Sequence, residues 1–296
     1  MPELPEVETV RRGLHDLIRG KIVSGAKSDN QKSFPNSPDD VSQFLIGSEI
    51  VNVRRRAKVL MIDLSTQYTL VIHLKMTGQM VYVAAKTRPA IDAERFAAGH
   101  PSDSMVNTLP DKSTRVAIEF SDGSNLYFND QRKFGWMKLL PTIEVPNIDF
   151  MKRVGPEPLE ADFTAEEFAE RFKRRARTTI KAAILDQSVV AGVGNIYADE
   201  SLWGARIHPS RLVQSVSQQE FQTLHEQVRA VMNLSIEKGG STDKNYVNAE
   251  GGRGSYLEFA NVFRREGEAC NRCGMEIVKI RVAGRGTHVC PNCQSL

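Results

Sequence analysis

The last 27 residues of the chain contain all four of its cysteines. They form two pairs, Cys270-x-x-Cys273 and Cys290-x-x-Cys293, with sixteen residues between the pairs. Four thiolates at this spacing can surround one tetrahedral Zn²⁺, and a shell of four thiolates leaves no open position for catalysis. Since no other cysteine is available for a disulfide, the pattern predicts one structural zinc ion rather than a redox site.

The segment between the cysteine pairs reads as a β-hairpin. Ile277–Val282 and Thr287–Val289 are its predicted strands, with Gly284-Arg285-Gly286 at the tip. So short a segment buries too little apolar surface to fold without its metal. An arginine at a hairpin tip is exposed, so Arg285 is either a flexible surface side chain or a guanidinium directed at phosphates. The hairpin alone does not decide between them.

The first residues carry a second kind of chemistry. Pro2 follows Met1, and removal of the initiator methionine would expose a secondary amine. Such an amine can form an iminium with an aldehyde-like carbon, as lysine does in Schiff-base enzymes, and Glu3 would be the adjacent carboxyl group. On these residues alone, an ordinary N-terminus ahead of a helix is the simpler interpretation.

Positive charge is clustered although the total is small. The chain has 39 Lys and Arg against 36 Asp and Glu, a net charge of +3. The segment Arg171–Lys181 contains six cations and no acid, and Arg54–Lys58 forms a second cluster. From Arg253 to the end, the chain contains seven cations and four acids. Each cluster alone is typical of a solvated face, but three together could line one groove for phosphates.

Composition narrows the class of protein. A chain of 296 residues suggests about two domains, and 41% apolar with 25% charged residues is ordinary for a soluble globular protein. No apolar run approaches the ~18 residues of a membrane span, and the N-terminus lacks the features of a signal peptide. We therefore expect a soluble, cytoplasmic protein.

The first half of the chain changes from a helical to a strand pattern. Apolar residues at helical spacing, followed by Gly20, predict a helix from Pro5 to Arg19. Short alternating or β-branched runs then predict strands, in a pattern typical of a sandwich or barrel. These are Glu49–Val53, Lys58–Leu64, Thr69–Lys75, Gln79–Val83, Thr114–Phe120, Asn125–Asn129 and Trp136–Leu140. The segment Ala84–Lys112 is predicted to be a long surface loop.

The second half is predicted to be helical. Prolines at 141, 146, 156 and 158 indicate a linker ahead of it. The predicted helices are Thr164–Ala176, with Thr164 as N-cap, then Thr179–Gln187, Gly194–Trp203 and Ser217–Glu237. Gly239–Gly254 is a second predicted long loop, with five glycines. The expected division is residues 1–140, a linker over 141–160, a helical domain over 161–262, and a zinc module over 263–296.

Seven segments carry a family resemblance. In chain order they are Pro2-Glu3-Leu4-Pro5-Glu6-Val7-Glu8, Arg56-Ala57-Lys58, His73-Leu74-Lys75-Met76-Thr77-Gly78, Asp130-Gln131-Arg132-Lys133-Phe134-Gly135, Gly155-Pro156-Glu157-Pro158-Leu159, Gly192-Val193-Gly194-Asn195-Ile196-Tyr197 and the zinc hairpin. Together they resemble the formamidopyrimidine-DNA glycosylases, bifunctional enzymes of base-excision repair. The resemblance covers nearly the whole chain apart from Lys86–Leu109.

This resemblance implies a fold of the α+β class. It consists of an N-terminal helix and β-sandwich domain, a helical domain with a helix–two-turn–helix motif, and a β-hairpin zinc finger, with DNA in the cleft between the domains. The resemblance also implies four catalytic positions. Pro2 attacks C1′ of a damaged nucleotide and expels the base, and Glu3 supplies or relays a proton. Lys58 assists β-elimination, and Arg285 grips phosphates and is linked to δ-elimination.

The remaining implied positions contact DNA. Met76, Arg132 and Phe134 match residues that fill the space left by a flipped-out nucleotide, although a core Met and a core Phe are the ordinary alternatives at single positions. His73, Lys181 and Asn195 match phosphate contacts, and Arg177 is a further candidate. A family histidine is replaced here by Ser113, so we expect Lys112 to substitute for it. Gly239–Gly254 matches the segment that closes over the lesion.

The implied partner is damaged double-stranded DNA, bound by a monomer in the bacterial cytoplasm at the nucleoid. Two alternatives stay open. One is an endonuclease VIII-like enzyme acting on oxidised pyrimidines, whose usual start has Gly where this chain has Leu4. The other is a non-catalytic zinc-containing DNA-binding protein of the same fold. The glycine loop and the set Met76, Arg132 and Phe134 favour the branch that prefers 8-oxoguanine and formamidopyrimidines.

Overall fold

The chain divides by its internal packing into two units. Residues 1–152 and 238–255 form the first, and residues 153–237 and 256–296 form the second. The structure is a computed structural model that describes residues 2–85, 95–100, 102, 104, 107–241 and 255–296. Helices and antiparallel sheets occur together, so the expected α+β class is confirmed. The finer division at residues 140, 160 and 262 stays a prediction.

In the first unit, helix α1 (Leu4–Ile18) buries its apolar face, including Val7, Val10 and Leu14, in the core. The strands form one sheet in the order β1-β7-β8-β5-β6 and another in the order β2-β3-β4-β9. Their bounds are β1 Val23–Ser28, β2 Ile50–Arg56, β3 Val59–Leu64, β4 Tyr68–His73, β5 Gly78–Val83, β6 Arg95–Gly99, β7 Thr114–Phe120, β8 Asn125–Asp130 and β9 Trp136–Pro141. One core cluster takes side chains from both sheets, as the predicted sandwich requires.

Two strands were not predicted from the sequence. β1 contains Ser, Gly, Ala and Lys, and β6 has no β-branched residue, so neither has a strong intrinsic strand preference. Both lie at an edge of the five-stranded sheet and are held by antiparallel pairing with β7 and β5 respectively. The predicted loop Ala84–Lys112 therefore contains an edge strand. Much of the rest of that loop, residues 86–94, 101, 103 and 105–106, lies outside the described residues.

Short helical segments complete the first unit. Helix α2 (Pro38–Asp40) runs into a π-helical turn (Val41–Leu45), and a 3-10 segment (Thr142–Asn147) follows β9. Helix α3 (Asp149–Arg153) lies where the first unit ends and the second begins.

The second unit contains α4 (Ala165–Lys173), α5 (Ile180–Leu185), α6 (Asn195–Gly204) and α7 (Gln218–Glu237). Thr164 and Thr179 cap α4 and α5, since each side chain accepts a hydrogen bond from a backbone N–H of the first turn. The zinc hairpin consists of β10 (Val278–Val282) and β11 (Arg285–Val289). Among helices in the described ranges, none combines the length and apolar character needed to cross a bilayer.

Candidate functional site

The N-terminal residues are held at the start of α1 by buried carboxyl groups. Pro2 and Glu3 are both buried. The Glu3 backbone N–H donates to Glu6 Oε2 at 2.8 Å, and Glu6 Oε1 accepts from the N–H and hydroxyl of Ser241 at 2.8 and 2.7 Å. Glu6 therefore joins the N-terminal residues to the segment that leads into the glycine loop. Residues 242–254 of that loop lie outside the described residues.

Lys58 lies in the tight turn between β2 and β3. Ala57 adopts a φ of 52°, and Lys58 is only 6% exposed. Arg55 donates to Ala57 O at 3.0 Å and to Glu8 Oε2 at 3.1 Å. Burial opposes ionisation of Glu8, but hydrogen bonds from Arg11 and Arg12 outweigh it and lower its pKa. A charged Glu8 thus pins the first turns of α1 to the turn that carries Lys58.

His73 is a buried, neutral histidine. Burial, together with the nearby charges of Lys75 and Lys58, lowers its pKa to about 3. Its ring centroid lies 5.9 Å from that of Trp136 and 5.6 Å from that of Phe150. Nδ1 accepts a hydrogen bond from the Lys75 N–H at 3.1 Å, so the proton of the neutral ring is on Nε2.

The three predicted void-filling residues lie at one end of the five-stranded sheet. β5 and β8 pair with Gly78 opposite Asp130, which brings the loop carrying Met76 beside the loop carrying Arg132 and Phe134. Met76 is 37% exposed and Phe134 is 54% exposed. Neither is therefore a core residue, although Met and Phe are ordinarily buried. The Arg132 guanidinium lies 4.9 Å from the centroid of the Phe134 ring.

A third loop reaches the same sheet end ahead of β7. Lys112 is exposed there. Ser113, which stands where the family has histidine, is buried and donates its hydroxyl to Asp111 Oδ1 at 2.6 Å. Of these two neighbouring residues, Lys112 is therefore the one whose side chain faces solvent.

In the second unit, Asn195 and Arg285 come together. Asn195 is the first residue of α6, whose N-cap, Gly194, has no capping side chain. Asn195 Nδ2 donates to Gly286 O at 3.1 Å, which holds the hairpin against the start of this helix. The positive end of a helix dipole favours an anion, and the exposed Arg285 is the chain neighbour of Gly286, which contacts this helix start.

Arg285 lies at a different point of the hairpin than predicted. It is the first residue of β11 and pairs with Val282 across a two-residue turn. The turn residues are Ala283 and Gly284, with φ of 51° and 72°. Positive φ at both positions is the requirement of a type I′ hairpin turn, which matches the twist of the strands.

Lys181 supports this region from inside. Its side chain is fully buried, forms an ion pair with Asp199, and lies 3.4 Å from Asn195 O. Asp199 Oδ2 also accepts from the His288 N–H at 3.0 Å. The ion pair thus ties α5, α6 and β11 together, whereas Arg177 is exposed in the loop ahead of α5.

The four cysteine sulfurs form a metal-binding cluster. All four Sγ atoms lie within 4.8 Å of one another. The expected separation for tetrahedral Zn–S bonds of ~2.3 Å is about 3.8 Å. The Arg272 and Cys293 N–H groups each donate to a cysteine sulfur at 3.4 Å, as in zinc knuckles. The side chains fit one structural Zn²⁺.

Sequence reasoning missed three buried acids at these sites: Glu6, Asp130 and Asp199. A signal existed for Glu6, since Glu at the third helical position is half of a capping box. Asp130 begins one of the segments that carry the family resemblance, but the resemblance implies no role for it. Nothing in local sequence marks Asp199, because its partners are 18 and 89 residues away.

The chain matches known proteins along most of its length. Three family models match: the formamidopyrimidine-DNA glycosylase N-terminal domain over residues 1–137, the H2TH domain of the same enzymes over 154–246, and the zinc finger found in FPG and IleRS over 267–296. The formamidopyrimidine-DNA glycosylase of Pediococcus pentosaceus is 41% identical over 296 residues, covering 100% of both chains. The chain belongs to the formamidopyrimidine-DNA glycosylase family.

Solved structures of the family agree in fold. A mutant of the Lactococcus lactis FPG, in complex with DNA containing Fapy-dG, superposes with a TM-score of 0.85 at 32% identity and covers 100% of both chains. The Lactococcus lactis Fpg in complex with abasic-site DNA also gives a TM-score of 0.85 at 32% identity, covering 99% of this chain and 100% of the other. The zinc finger of the family is present here with all four ligands.

Proposed function

We propose that this protein is a DNA glycosylase and AP lyase that removes oxidised purines from duplex DNA. The observation that carries the proposal is the end-to-end match to formamidopyrimidine-DNA glycosylases. Related proteins bind DNA that contains Fapy-dG or an abasic site, which correspond to a substrate and an intermediate of this activity. We also propose a preference for 8-oxoguanine and formamidopyrimidines over oxidised pyrimidines.

The proposed nucleophile is the secondary amine of Pro2, exposed by removal of Met1. Its lone pair attacks C1′ of the damaged nucleotide, the N-glycosidic bond breaks, and the base leaves with a proton. Glu3 supplies or relays the proton that opens the sugar ring, giving an iminium between Pro2 and C1′. The burial of both residues at the start of α1 supports this role, because a dry site strengthens charge stabilisation.

Strand cleavage follows from the iminium. It acts as an electron sink that acidifies the C2′ hydrogen, so loss of that proton expels the 3′ phosphate. A second elimination expels the 5′ phosphate, and hydrolysis then frees Pro2. Lys58 is proposed to assist the first elimination. Arg285 is proposed to bind the phosphates and assist the second, supported by its exposure beside the N-terminus of α6.

Base excision within a duplex requires that the nucleotide leave the stack. Met76, Arg132 and Phe134 are proposed to fill the vacated space, where an arginine can hydrogen-bond the orphaned cytosine and a phenylalanine can wedge a base step. Their exposure on adjoining loops supports this.

Phosphate binding is proposed for His73, through Nε2–H, and for Lys112, Arg177 and Asn195. For Lys181 we propose an indirect contribution, through Asp199 and Asn195, because its ammonium group is buried. The zinc ion holds the hairpin and takes no part in the reaction. We also propose a monomer that works on chromosomal DNA in the bacterial cytoplasm.

Single-turnover excision on a panel of duplexes tests the function. Substrates with 8-oxoguanine or formamidopyrimidine should be cleaved faster than one with an oxidised pyrimidine. Pro2→Gly should lose or alter excision while duplex binding persists, whereas Pro38→Gly, at an exposed helix start in the same unit, should behave as wild type. Faster cleavage of the pyrimidine lesion would favour the endonuclease VIII-like alternative. Absence of all cleavage would favour a non-catalytic DNA-binding protein.

A further inference from the structure

One buried carboxylate connects the two loops that carry the proposed void-filling residues. Asp130, at the end of β8, has no exposed surface. Its Oδ1 accepts from the hydroxyl of Thr77 and from the Arg132 N–H at 3.2 Å. Its Oδ2 accepts from the Gly135 N–H at 2.6 Å. The Arg132 N–H also lies 3.1 Å from the Thr77 hydroxyl oxygen, so both loops share one hydrogen-bond network.

Both of these loops cross from one sheet to the other. Residues 74–77 connect β4 to β5, and residues 131–135 connect β8 to β9. Each has a non-glycine residue in the left-handed region, Lys75 at φ 52° and Lys133 at φ 57°. Such conformations persist only where surrounding contacts fix them. The hydrogen bonds to Asp130 are contacts of this kind.

Glycine makes the close approach possible. A Cβ added at Gly135 would lie 2.8 Å from Phe128 Cζ and 3.1 Å from Asp130 Oδ2. Without a side chain there, the Gly135 N–H reaches the carboxylate directly. The loop that presents Phe134 is thus closed on Asp130 at both ends, through Arg132 and Gly135.

The backbone of Asp130 reaches the third loop as well. Its N–H donates to Ser113 O at 2.8 Å, and its carbonyl accepts from Arg115 Nε at 2.9 Å. The buried Arg115 guanidinium also donates to Lys112 O. The loop with the exposed Lys112 is therefore fixed to the same residue.

We propose that Asp130 is the positioning residue of the void-filling group. It holds Met76, Arg132 and Phe134 in one arrangement before DNA binds. The two exposed loops are therefore already ordered when the nucleotide leaves the stack. This inference rests on the proposed void-filling function of those side chains. Asp130 itself touches neither base nor sugar in this role; it acts through the loops.

The central test is Asp130→Asn. An amide keeps the shape but places an N–H donor where a carboxylate oxygen accepted one, so either the Thr77–Arg132 side or the Gly135 side loses its acceptor. The readout is the emission of a fluorescent cytosine analogue placed opposite a tetrahydrofuran abasic analogue, at saturating protein. Wild type should change the emission on binding, and Phe134→Ala should remove most of the change. Asp130→Asn should lose at least half of it.

A kinetic readout accompanies the fluorescence. The single-turnover excision rate of Asp130→Asn should fall by about tenfold to a hundredfold, as expected for side chains displaced by roughly 1 Å. Its lyase rate on a preformed abasic site should fall much less, because no damaged base remains to be extruded. A general loss of folding would lower both rates equally.

Matched variants separate positioning from stability. Asp122 lies in the turn at the other end of β8, and its carboxylate accepts from the Ser124 N–H and hydroxyl at 2.9 and 2.6 Å. Asp122→Asn should therefore match wild type in both readouts. Thr77→Val, which removes the shared hydroxyl, should reproduce part of the Asp130→Asn defect, and Thr77→Ser should restore wild-type behaviour.

The outcomes distinguish the two proposals. If wild type and Phe134→Ala give the same emission change, the void-filling function itself fails. If Phe134→Ala loses the change but Asp130→Asn and Thr77→Val keep it, void filling stands and the role of Asp130 is wrong. Should Asp130→Asn fail to fold, the Thr77→Val and Thr77→Ser pair decides by the same criterion.

Discussion

The two units hold their functional side chains by different means. In the first unit, buried carboxylates accept backbone N–H groups: Asp130 fixes loops between strands, and Glu6 fixes the start of the chain and Ser241. In the second, a buried ion pair, Lys181–Asp199, and a four-cysteine cluster fix a helix start and a hairpin. The first arrangement exposes two apolar side chains, Met76 and Phe134, beside the cations Arg132 and Lys112, whereas the proposed DNA contacts that the second exposes, Arg177 and Arg285, are both cationic.

This difference agrees with the roles proposed for the two units, void filling in the first and phosphate binding in the second. Filling a space in the base stack needs apolar groups in defined positions, which hydrogen-bonded loops on a large sandwich core can provide. Binding phosphates needs positive charge and N–H groups, which a helix N-terminus and a small hairpin can provide. The hairpin has little core of its own, so metal replaces apolar burial as its source of stability.

The largest expected difference is in the response to chelation. Removing Zn²⁺ from such a module costs about 10 kcal/mol or more, so the hairpin should unfold and duplex binding should be lost. Each unit holds one of the two tryptophans: Trp136 is in β9, and Trp203 packs against the core cluster that contains Cys270 and Cys290. In single-tryptophan variants, the emission of Trp203 should change on chelation and that of Trp136 should change little. Equal emission changes from the two tryptophans would contradict separate stabilisation of the two units. Added Zn²⁺ should reverse the change in Trp203 emission.

The buried ion pair should give the next largest effect. Lys181→Met leaves the Asp199 carboxylate buried without its cation, and breaking such a pair costs about 3–5 kcal/mol. Denaturant unfolding should show this loss, and Asp199→Asn should restore much of it in the double variant. Lys27→Met, which breaks the exposed pair with Glu119 in the first unit, should leave stability nearly unchanged. Similar losses of unfolding free energy in Lys181→Met and Lys27→Met would contradict the difference between the buried and the exposed pair.

His73 should make the stability of the first unit depend on pH. Its pKa is about 3 when folded, against an ordinary value of 6.5, so below pH 6.5 the unfolded chain binds a proton that the folded chain does not. The free energy of unfolding should therefore fall with decreasing pH, by about 2 kcal/mol between pH 6.5 and 5. His73→Phe should remove this component from the pH profile. An unchanged profile would show that folding does not lower the pKa of this histidine.

Arg285→Ala should give the smallest effect in free energy, measured as weaker duplex binding beside a slower second elimination. Affinity for every duplex should fall about tenfold, ~1.4 kcal/mol, and the salt slope should decrease in magnitude by about 1. Phe134→Ala should instead lower excision with little change in the salt slope, because its side chain contacts no phosphate. Titrations at several salt concentrations measure both. A slope equal to wild type for Arg285→Ala would contradict the phosphate contact.

Local sequence patterns were sufficient for most elements. Helix α1, strand β7 and the N-cap Thr164 follow from apolar period and capping chemistry, and the cysteine spacing was sufficient to predict the metal site. Strand β6 was missed because its stability comes from pairing with β5 rather than from its own residues.

The candidate sites depended on contacts that are remote in sequence. Asp130 meets Thr77 across 53 residues, and Glu6 meets Ser241 across 235. The burial of Lys181 could not be predicted from the sequence either, because a lysine in a basic cluster is ordinarily solvated. Side-chain types indicated which chemistry is possible, and only the fold identified the groups that hold those side chains in place.

The proposed proline nucleophile is tested by trapping the protein on lesion-containing duplex with borohydride and locating the cross-linked residue by mass spectrometry. We expect a chain that begins at Pro2, with reduced deoxyribose attached to the proline nitrogen. A fully active chain that retains Met1, or a cross-link on a lysine, would contradict it.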